Sequence, residues 1–284
     1  MTLRAAEQRL GWGLVAPALG WTAAFFLVPF GAMVALSFWR MEGRAMVPAL
    51  DPGNYLRLFA EPAMLRALTN SLEIAALVTV ISVVLAYPLA AIIAFRVPPR
   101  WQRLALLLAV LPFWTSYVVR SYAWLLVLGQ NGVVNKALIG LGLIAAPLEI
   151  AATRTATVIG FVHFFVMLLS LTIYANLVQL PRNYARAAAD LGAGPGRTFL
   201  YVILPLTLPG VVTGAFLSFV LCIGDYVTPQ ILGGNAELML PQLIMLQLGR
   251  SGDFPFASAL SVVLMAVVTL AYLLAARWVR VERI

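Results

Sequence analysis

The sequence is poor in charge, in cysteine and in histidine, and each shortage removes a class of function. Only 11% of its 284 residues are charged, well below the share of about a quarter found in soluble domains. The single cysteine, Cys222, excludes an internal disulfide, and its place in an apolar run makes it a small buried residue rather than a reactive thiol. The single histidine, His163, excludes an HExxH zinc site, and no cysteine or acidic cluster replaces it as a metal centre. At mid-span, its plainer role is an interhelical hydrogen bond. There is no GxxxxGK phosphate loop, so the chain is expected to hydrolyse no ATP itself, and no GxSxG nucleophile. No repeat with a period of 20 to 50 residues is evident either. The chain is therefore expected to carry no catalytic residue, metal or cofactor.

Apolar residues are what the sequence has in abundance: 62% of the total, with a mean hydropathy of +0.95. This composition predicts an all-α integral membrane protein, one domain over 1–284. Six runs are long enough for the roughly 20 residues a crossing needs: 11–39, 71–95, 104–128, 155–178, 201–224 and 256–276. The first far exceeds the apolar core of a secretory signal, which favours an uncleaved helix. Three shorter pieces are placed outside the count. Residues 51–68 read as interfacial turns, 133–144 as a helix at the outer interface, and 238–248, broken by Pro241, as a lateral or re-entrant segment.

Charge placement orients the spans. With the N-terminus inside, the cytoplasmic side holds Arg4, Arg9, Arg96, Arg100, Arg103, Arg182, Arg186, Arg197, Arg277, Arg280 and Arg283 against Glu7, Asp190 and Glu282. The remaining eight basic and eight acidic residues balance on the other side and within the spans. The basic residues alone favour the same orientation, with both termini cytoplasmic. The pI of about 10.1 then reflects membrane orientation and anionic lipid, with no ground for nucleic-acid binding.

The polar interruption 181–205, PRNYARAAADLGAGPGRTFLYVILP, is built like a small docking helix. Asn183 is the expected N-cap, Gly192 the left-handed stop, and Gly194-Pro195-Gly196 a breaker. Tyr184, Ala187, Ala188 and Leu191 share a narrow face, while Arg186 and Asp190 form an i, i+4 pair elsewhere. Such a face suits helix-in-groove recognition, and the pattern alone leaves open an amphipathic connector lying on the membrane.

The spans carry packing and pathway signals. Gly210, Gly214, Ser218 and Cys222 make a small-residue stripe that admits a neighbouring helix closely, and Pro205 and Pro209 can bend that helix. Arg120 lies among Trp114, Tyr117, Tyr122 and Trp124, where it either lines a solute pathway or snorkels to the outer interface. Glu73, three residues after Asn70, is expected to complete a capping box. Asp225, with Tyr226 as an aromatic wall, is the best acidic candidate for a cationic solute near the outer mouth. The plainer reading of Asp225 is a polar turn ended by Pro229 and Gly233-Gly234.

Arg186-Ala187-Ala188, three residues, Gly192, nine residues, then Val202-Ile203-Leu204-Pro205 resembles the signature loop of ATP-binding-cassette (ABC) importer permeases. That loop runs Glu-Ala-Ala, x3, Gly, x9, Ile-x-Leu-Pro. Here Arg186 replaces the usual Glu and Val202 replaces Ile, so any role of a carboxylate at that position is not carried over. PLTLPGVVTGAFLSFVLCIGDYVTPQILGG, PFWTSYVVRSYAW and NGVVNKALIGLGLIAAP are similar to permease subunits of spermidine/putrescine-type importers.

The resemblance implies the type I (MetI-like) importer fold, with a core over about 70–280 and a cytoplasmic coupling loop at 181–205. It further implies an inner-membrane assembly with a second homologous permease, two copies of an ATPase that binds the ATP, and an external solute-binding protein. The implied solute is a small organic cation of polyamine type. Rivals within the class are an opine, aminobutyrate, aminoethylphosphonate, thiamine or ferric iron. The rival outside it, a secondary transporter or channel, predicts ion-binding broken helices and internal repeats, and the sequence displays neither.

Overall fold

In a computed structural model the chain is helical almost throughout, and the structure describes residues 3–181, 183–234 and 237–276, with side chains from residue 11 onward. Of the residues used for orientation, Arg182, Arg277, Arg280, Glu282 and Arg283, and the side chains of Arg4, Glu7 and Arg9, lie outside the described residues. The order is α1 (Leu3–Thr22), a π-turn (Ala23–Leu27), α2 (Val28–Leu36), strands β1 (Arg40–Glu42) and β2 (Ala45–Val47), and α3 (Gly53–Ala60). Next come α4 (Pro62–Phe95), α5 (Pro99–Val110), a 3-10 turn (Leu111–Trp114), α6 (Tyr117–Leu128), α7 (Val133–Gly140) and α8 (Arg154–Gln179). The last group is α9 (Asn183–Asp190), α10 (Pro195–Thr198), a π-turn (Phe199–Ile203), α11 (Leu204–Gly224), α12 (Val227–Leu232), α13 (Leu240–Leu246), a π-turn (Gln247–Ser251) and α14 (Phe254–Ala276).

Among the described residues five continuous helices are long and apolar enough to cross a membrane: Gly11–Leu36, Pro62–Phe95, Arg154–Gln179, Pro195–Gly224 and Phe254–Ala276. A sixth crossing exists only as a bent pair, Pro99–Trp114 and Tyr117–Gly140, at 90°. The expected unbroken third span, 104–128, is thus corrected. Pro112 tightens the chain into the 3-10 turn, and Thr115 (ψ 149°) and Ser116 (ψ 132°) are extended, a conformation that no helix continues through.

Two other boundaries move because proline begins a helix as readily as it ends one. The second span starts at Pro62, so α3 and the first turns of α4 replace the interfacial turns expected over 51–68. Asn70 and Glu73 therefore lie inside α4, and the capping box does not form. Glu73 instead accepts a hydrogen bond from Arg154 at 2.7 Å, on an exposed surface where an ion pair contributes about 0–1 kcal/mol. The fifth span starts at Pro195, within the segment expected to be a breaker. Its π-turn lies just before Pro205, whose missing N–H and bulky ring disfavour a regular α-turn there.

The helices gather into two compact units, Met1–Pro62 with Ile244–Met265, and Ala63–Leu243 with the residues from Ala266 onward. In the first, β1 and β2 form an antiparallel hairpin. Asn54 donates to the carbonyls of Ser37 and Trp39, both at 2.9 Å. Arg57 bonds Glu61 and Asp253 and lies 4.0 Å over the Phe256 ring. The hydrogen bond from Arg40, reinforced by the Gly53 N–H, holds the Asp51 carboxyl below the usual carboxylate range.

The larger unit has its core where α4, α8 and α11 meet. Ala86, Tyr87, Ala90 and Ala94 pack against Leu169, Ile173, Leu177 and Val211. The small-residue stripe explains how closely α11 approaches α8. A Cβ at Gly210 would lie 2.3 Å from the Asn176 side-chain oxygen, and one at Gly214 would lie 3.0 Å from Leu169. The neighbour that the stripe admits is thus a helix of the same chain. Ser218 and Cys222 continue it, both fully buried. A second cluster joins Leu128 of α6, Ala156 of α8 and Leu232 of α12.

Candidate coupling and pathway sites

Helix α9 is bounded by local chemistry. The Gly192 N–H donates to Ala189 O and the Ala193 N–H to Ala188 O, both at 2.9 Å, with Gly192 at φ +81°. This pair of bonds is the Schellman arrangement, and it satisfies carbonyls that the end of a helix leaves free. At the other end Asn183 is already helical, so it is not the cap expected of it.

The expected docking face splits. Ala187 is exposed and Leu191 is 89% exposed, whereas Ala188 is turned inward and buried. Tyr184 is half exposed at the border between the two sides. Arg186 is exposed, and among the described residues no ion pair joins it to Asp190. Of the expected face, Ala187 and Leu191 therefore stay outward, and Ala188 ties the helix to the chain beneath.

Contacts run from this loop into the spans. Phe199 meets Tyr87 of α4 edge-on at 5.5 Å, and Tyr87 shares a 2.7 Å hydrogen bond with Thr207 of α11. The Thr207 hydroxyl also donates to Ile203 and Leu204 carbonyls beside the π-turn. Val202 and Leu204 are half-buried and Pro205 is exposed. Sequence reasoning named Val202, Leu204 and Pro205 but missed Tyr87 and Thr207, because the partners are 120 residues apart and neither shows a local pattern.

The pathway candidates meet at the break between α5 and α6. Arg120 is only 7% exposed, so it does not snorkel. Its guanidinium donates to Pro112 O at 3.2 Å and lies over the rings of Tyr117 (5.1 Å) and Phe164 (4.8 Å). No carboxylate pairs with it among the described residues. Phe164 stacks on Phe113 at 5.3 Å, extending the aromatic wall, and Trp114 is 83% exposed.

Asp225 joins the same cluster. Its carboxylate accepts the Tyr117 hydroxyl and the N–H groups of Val227 (2.9 Å) and Thr228 (3.3 Å). It thereby caps α12, a helix where the sequence suggested a turn. The Thr228 hydroxyl also bonds Tyr117, while Tyr226 is 40% exposed beside it. Phe164 and Thr228 were not anticipated: one lies within a span and the other in a segment read as a polar turn, and neither shows a local signal. His163 accepts a 3.0 Å hydrogen bond from Trp124, the interhelical role expected of it.

The family model described as binding-protein-dependent transport system inner membrane component matches residues 76–281. The spermidine/putrescine transport system permease protein PotB of Haemophilus influenzae is 33% identical over 262 residues, 91% of each chain. The protein of the same name from Escherichia coli K12 is 32% identical over 260 residues, 90% of this chain and 93% of that one. Among solved structures, a bacterial ABC transporter involved in the import of the acidic polysaccharide alginate superposes with a TM-score of 0.77. That match covers 98% of both chains at 16% identity, a likeness of fold alone.

Proposed function

Because this chain belongs to the binding-protein-dependent transport system inner membrane components, and is thus an ABC importer permease subunit of MetI-like type I fold rather than an enzyme, we propose that it imports a polyamine of the spermidine/putrescine type. The observation that carries the solute is the 33% identity to a spermidine/putrescine permease, sustained over 91% of both chains. The Asp225 carboxylate, bonded to the Tyr117 hydroxyl and with the Tyr226 ring exposed beside it, forms surroundings that can hold an ammonium group. Arg120 is engaged with the Pro112 carbonyl and the rings, so the solute's charges pass on the Asp225 side of the cluster.

The working assembly consists of this permease, a homologous second permease, two ATPase subunits that bind the ATP, and an external solute-binding protein. The termini and the docking loop face the cytoplasm, as the arginine distribution favours. Closure of the ATPases pushes α9 through Ala187 and Leu191. The push travels through Phe199, Tyr87 and Thr207 to α4 and α11, which rock to expose the pathway inward.

The test is uptake of radiolabelled spermidine and putrescine by bacteria lacking their own polyamine importers, supplied with this chain and the ATPase, permease and binding-protein genes adjoining it. Saturable uptake that ceases on ATP depletion is expected. If the assembled, ATP-hydrolysing complex leaves polyamines outside, the solute assignment is wrong.

A further inference from the structure

Helix α9 has a second side that docking does not use. Behind it lies a cavity of about 870 Å³, bordered by Ala185 and Ala189 of α9, by the end of α4, and by the start of the fifth span. Phe95, Phe199 and Leu206 make much of its wall apolar. Gln102, also at the wall, is engaged, donating to the carbonyls of Ala94 and Val97 at 3.0 and 3.1 Å. Two charged groups line the cavity, Arg96 and Arg186, both exposed, and neither forms an ion pair among the described residues.

An apolar slot at the ends of membrane-spanning helices, edged by two uncommitted guanidinium groups, has the chemistry of a lipid with a negative headgroup. We propose that this cavity binds an anionic phospholipid of the leaflet on the docking-loop side. An acyl chain lies along Phe95, Phe199 and Leu206, and the phosphate sits between Arg96 and Arg186. Guanidinium is suited to this role because it is always charged and offers a planar fork to phosphate oxygens. The anionic leaflet also concentrates such lipids at basic juxtamembrane sites.

The ATPase is the weaker candidate for the cavity, because the outward side of α9, with Leu191 almost fully exposed, is the surface it can reach. The charge at 186 supports the same choice. An arginine there attracts a phosphate, where a carboxylate would repel it. The proposal rests on the docking loop lying at the membrane surface and is independent of which solute is moved.

The purified importer assembly is exchanged into mixed micelles of phosphatidylglycerol and phosphatidylcholine with matched acyl chains, and retained lipid is counted by native mass spectrometry. Phosphatidylglycerol is expected to be retained about twenty-fold over phosphatidylcholine, with Arg96→Gln cutting that preference about five-fold. Leu206→Trp, which narrows the apolar wall and leaves both arginines, should weaken retention of both lipids while the complex stays assembled. Equal retention of the two lipids by the unaltered complex overturns the proposal, as does an unchanged preference in Arg96→Gln. Inorganic phosphate that displaces phosphatidylglycerol at millimolar concentration would identify an anion site with no lipid specificity and overturn it too. Lipid retained only after the ATPase is stripped away would give the cavity to that subunit instead.

Discussion

The docking loop and the broken span both interrupt helices with proline and glycine nearby, yet they hold their shapes by different means. In the loop, α9 is closed by bonds within six residues, from Ala188 to Ala193, and by the left-handed Gly192. In the span, Thr115 and Ser116 leave the helix, and the ends are gathered by side chains from elsewhere: Phe164 of α8, and Asp225 and Thr228 of the α11–α12 junction. A structure made locally can move as a rigid piece, which suits a part that transmits a push. A structure made by distant residues changes when its neighbours move, which suits a gate.

The largest effect is expected where the local structure is most demanding. At φ +81°, Gly192 occupies a conformation that costs a residue with a side chain about 1–2 kcal/mol, and a β-branched one more. Gly192→Val should therefore unmake the end of α9, and Leu191→Asp should place a charge on its outward surface. Both are expected to abolish uptake and the co-purification of the ATPase, while the protein remains in the membrane at normal abundance. Normal uptake by either variant would remove the coupling role and, with it, the contrast between the two regions.

The same difference decides what the sequence disclosed. Gly192 was legible as a stop because left-handed glycine is a one-residue signal, and the inward turn of Ala188 was not, because it depends on what lies beneath the helix. Pro62 and Pro195 were misread as lying outside helices that they in fact begin. The break at Thr115–Ser116 was hidden because the run 104–128 keeps its apolar character through Pro112, and hydropathy is indifferent to backbone direction. Glu73 had the spacing of a capping box, but spacing cannot say whether a helix has already begun. Tyr87 with Thr207, and Gly210 with Asn176, are pairs that only the packed helices reveal.

Arg120 sharpens the comparison next. It is buried and, among the described residues, pairs with no carboxylate, and Pro112 O also accepts the Thr115 hydroxyl at 2.7 Å, so removing the guanidinium orphans no acceptor. Arg120→Met should then change thermal stability by less than about 2 kcal/mol, with lost ring and hydrogen-bond contacts offset by relief from burying a charge. Uptake should nevertheless fall about ten-fold or more, because the break loses the group that ties α6 to the 3-10 turn. Unfolding with no folded, transport-deficient stage would make Arg120 part of the scaffold and the broken span no gate.

Asp225→Asn gives the smallest and most selective effect. The carboxylate serves as a cap for α12 and as the negative charge beside the aromatic wall. Asparagine caps a helix about as well as aspartate, so the first service survives the substitution. Its amide can still exchange a hydrogen bond with the Tyr117 hydroxyl. The substitution gives up the weak 3.3 Å bond from the Thr228 N–H, which the amide nitrogen cannot accept, and chiefly the charge, with a charge-assisted contact to an ammonium group that is worth up to about ten-fold in apparent affinity. The expected result is a KM for polyamine uptake raised several-fold with a melting temperature lowered only slightly and unchanged ATPase co-purification. If KM stays where it was, Asp225 does nothing but cap α12, and the cation must be recognised elsewhere along the span.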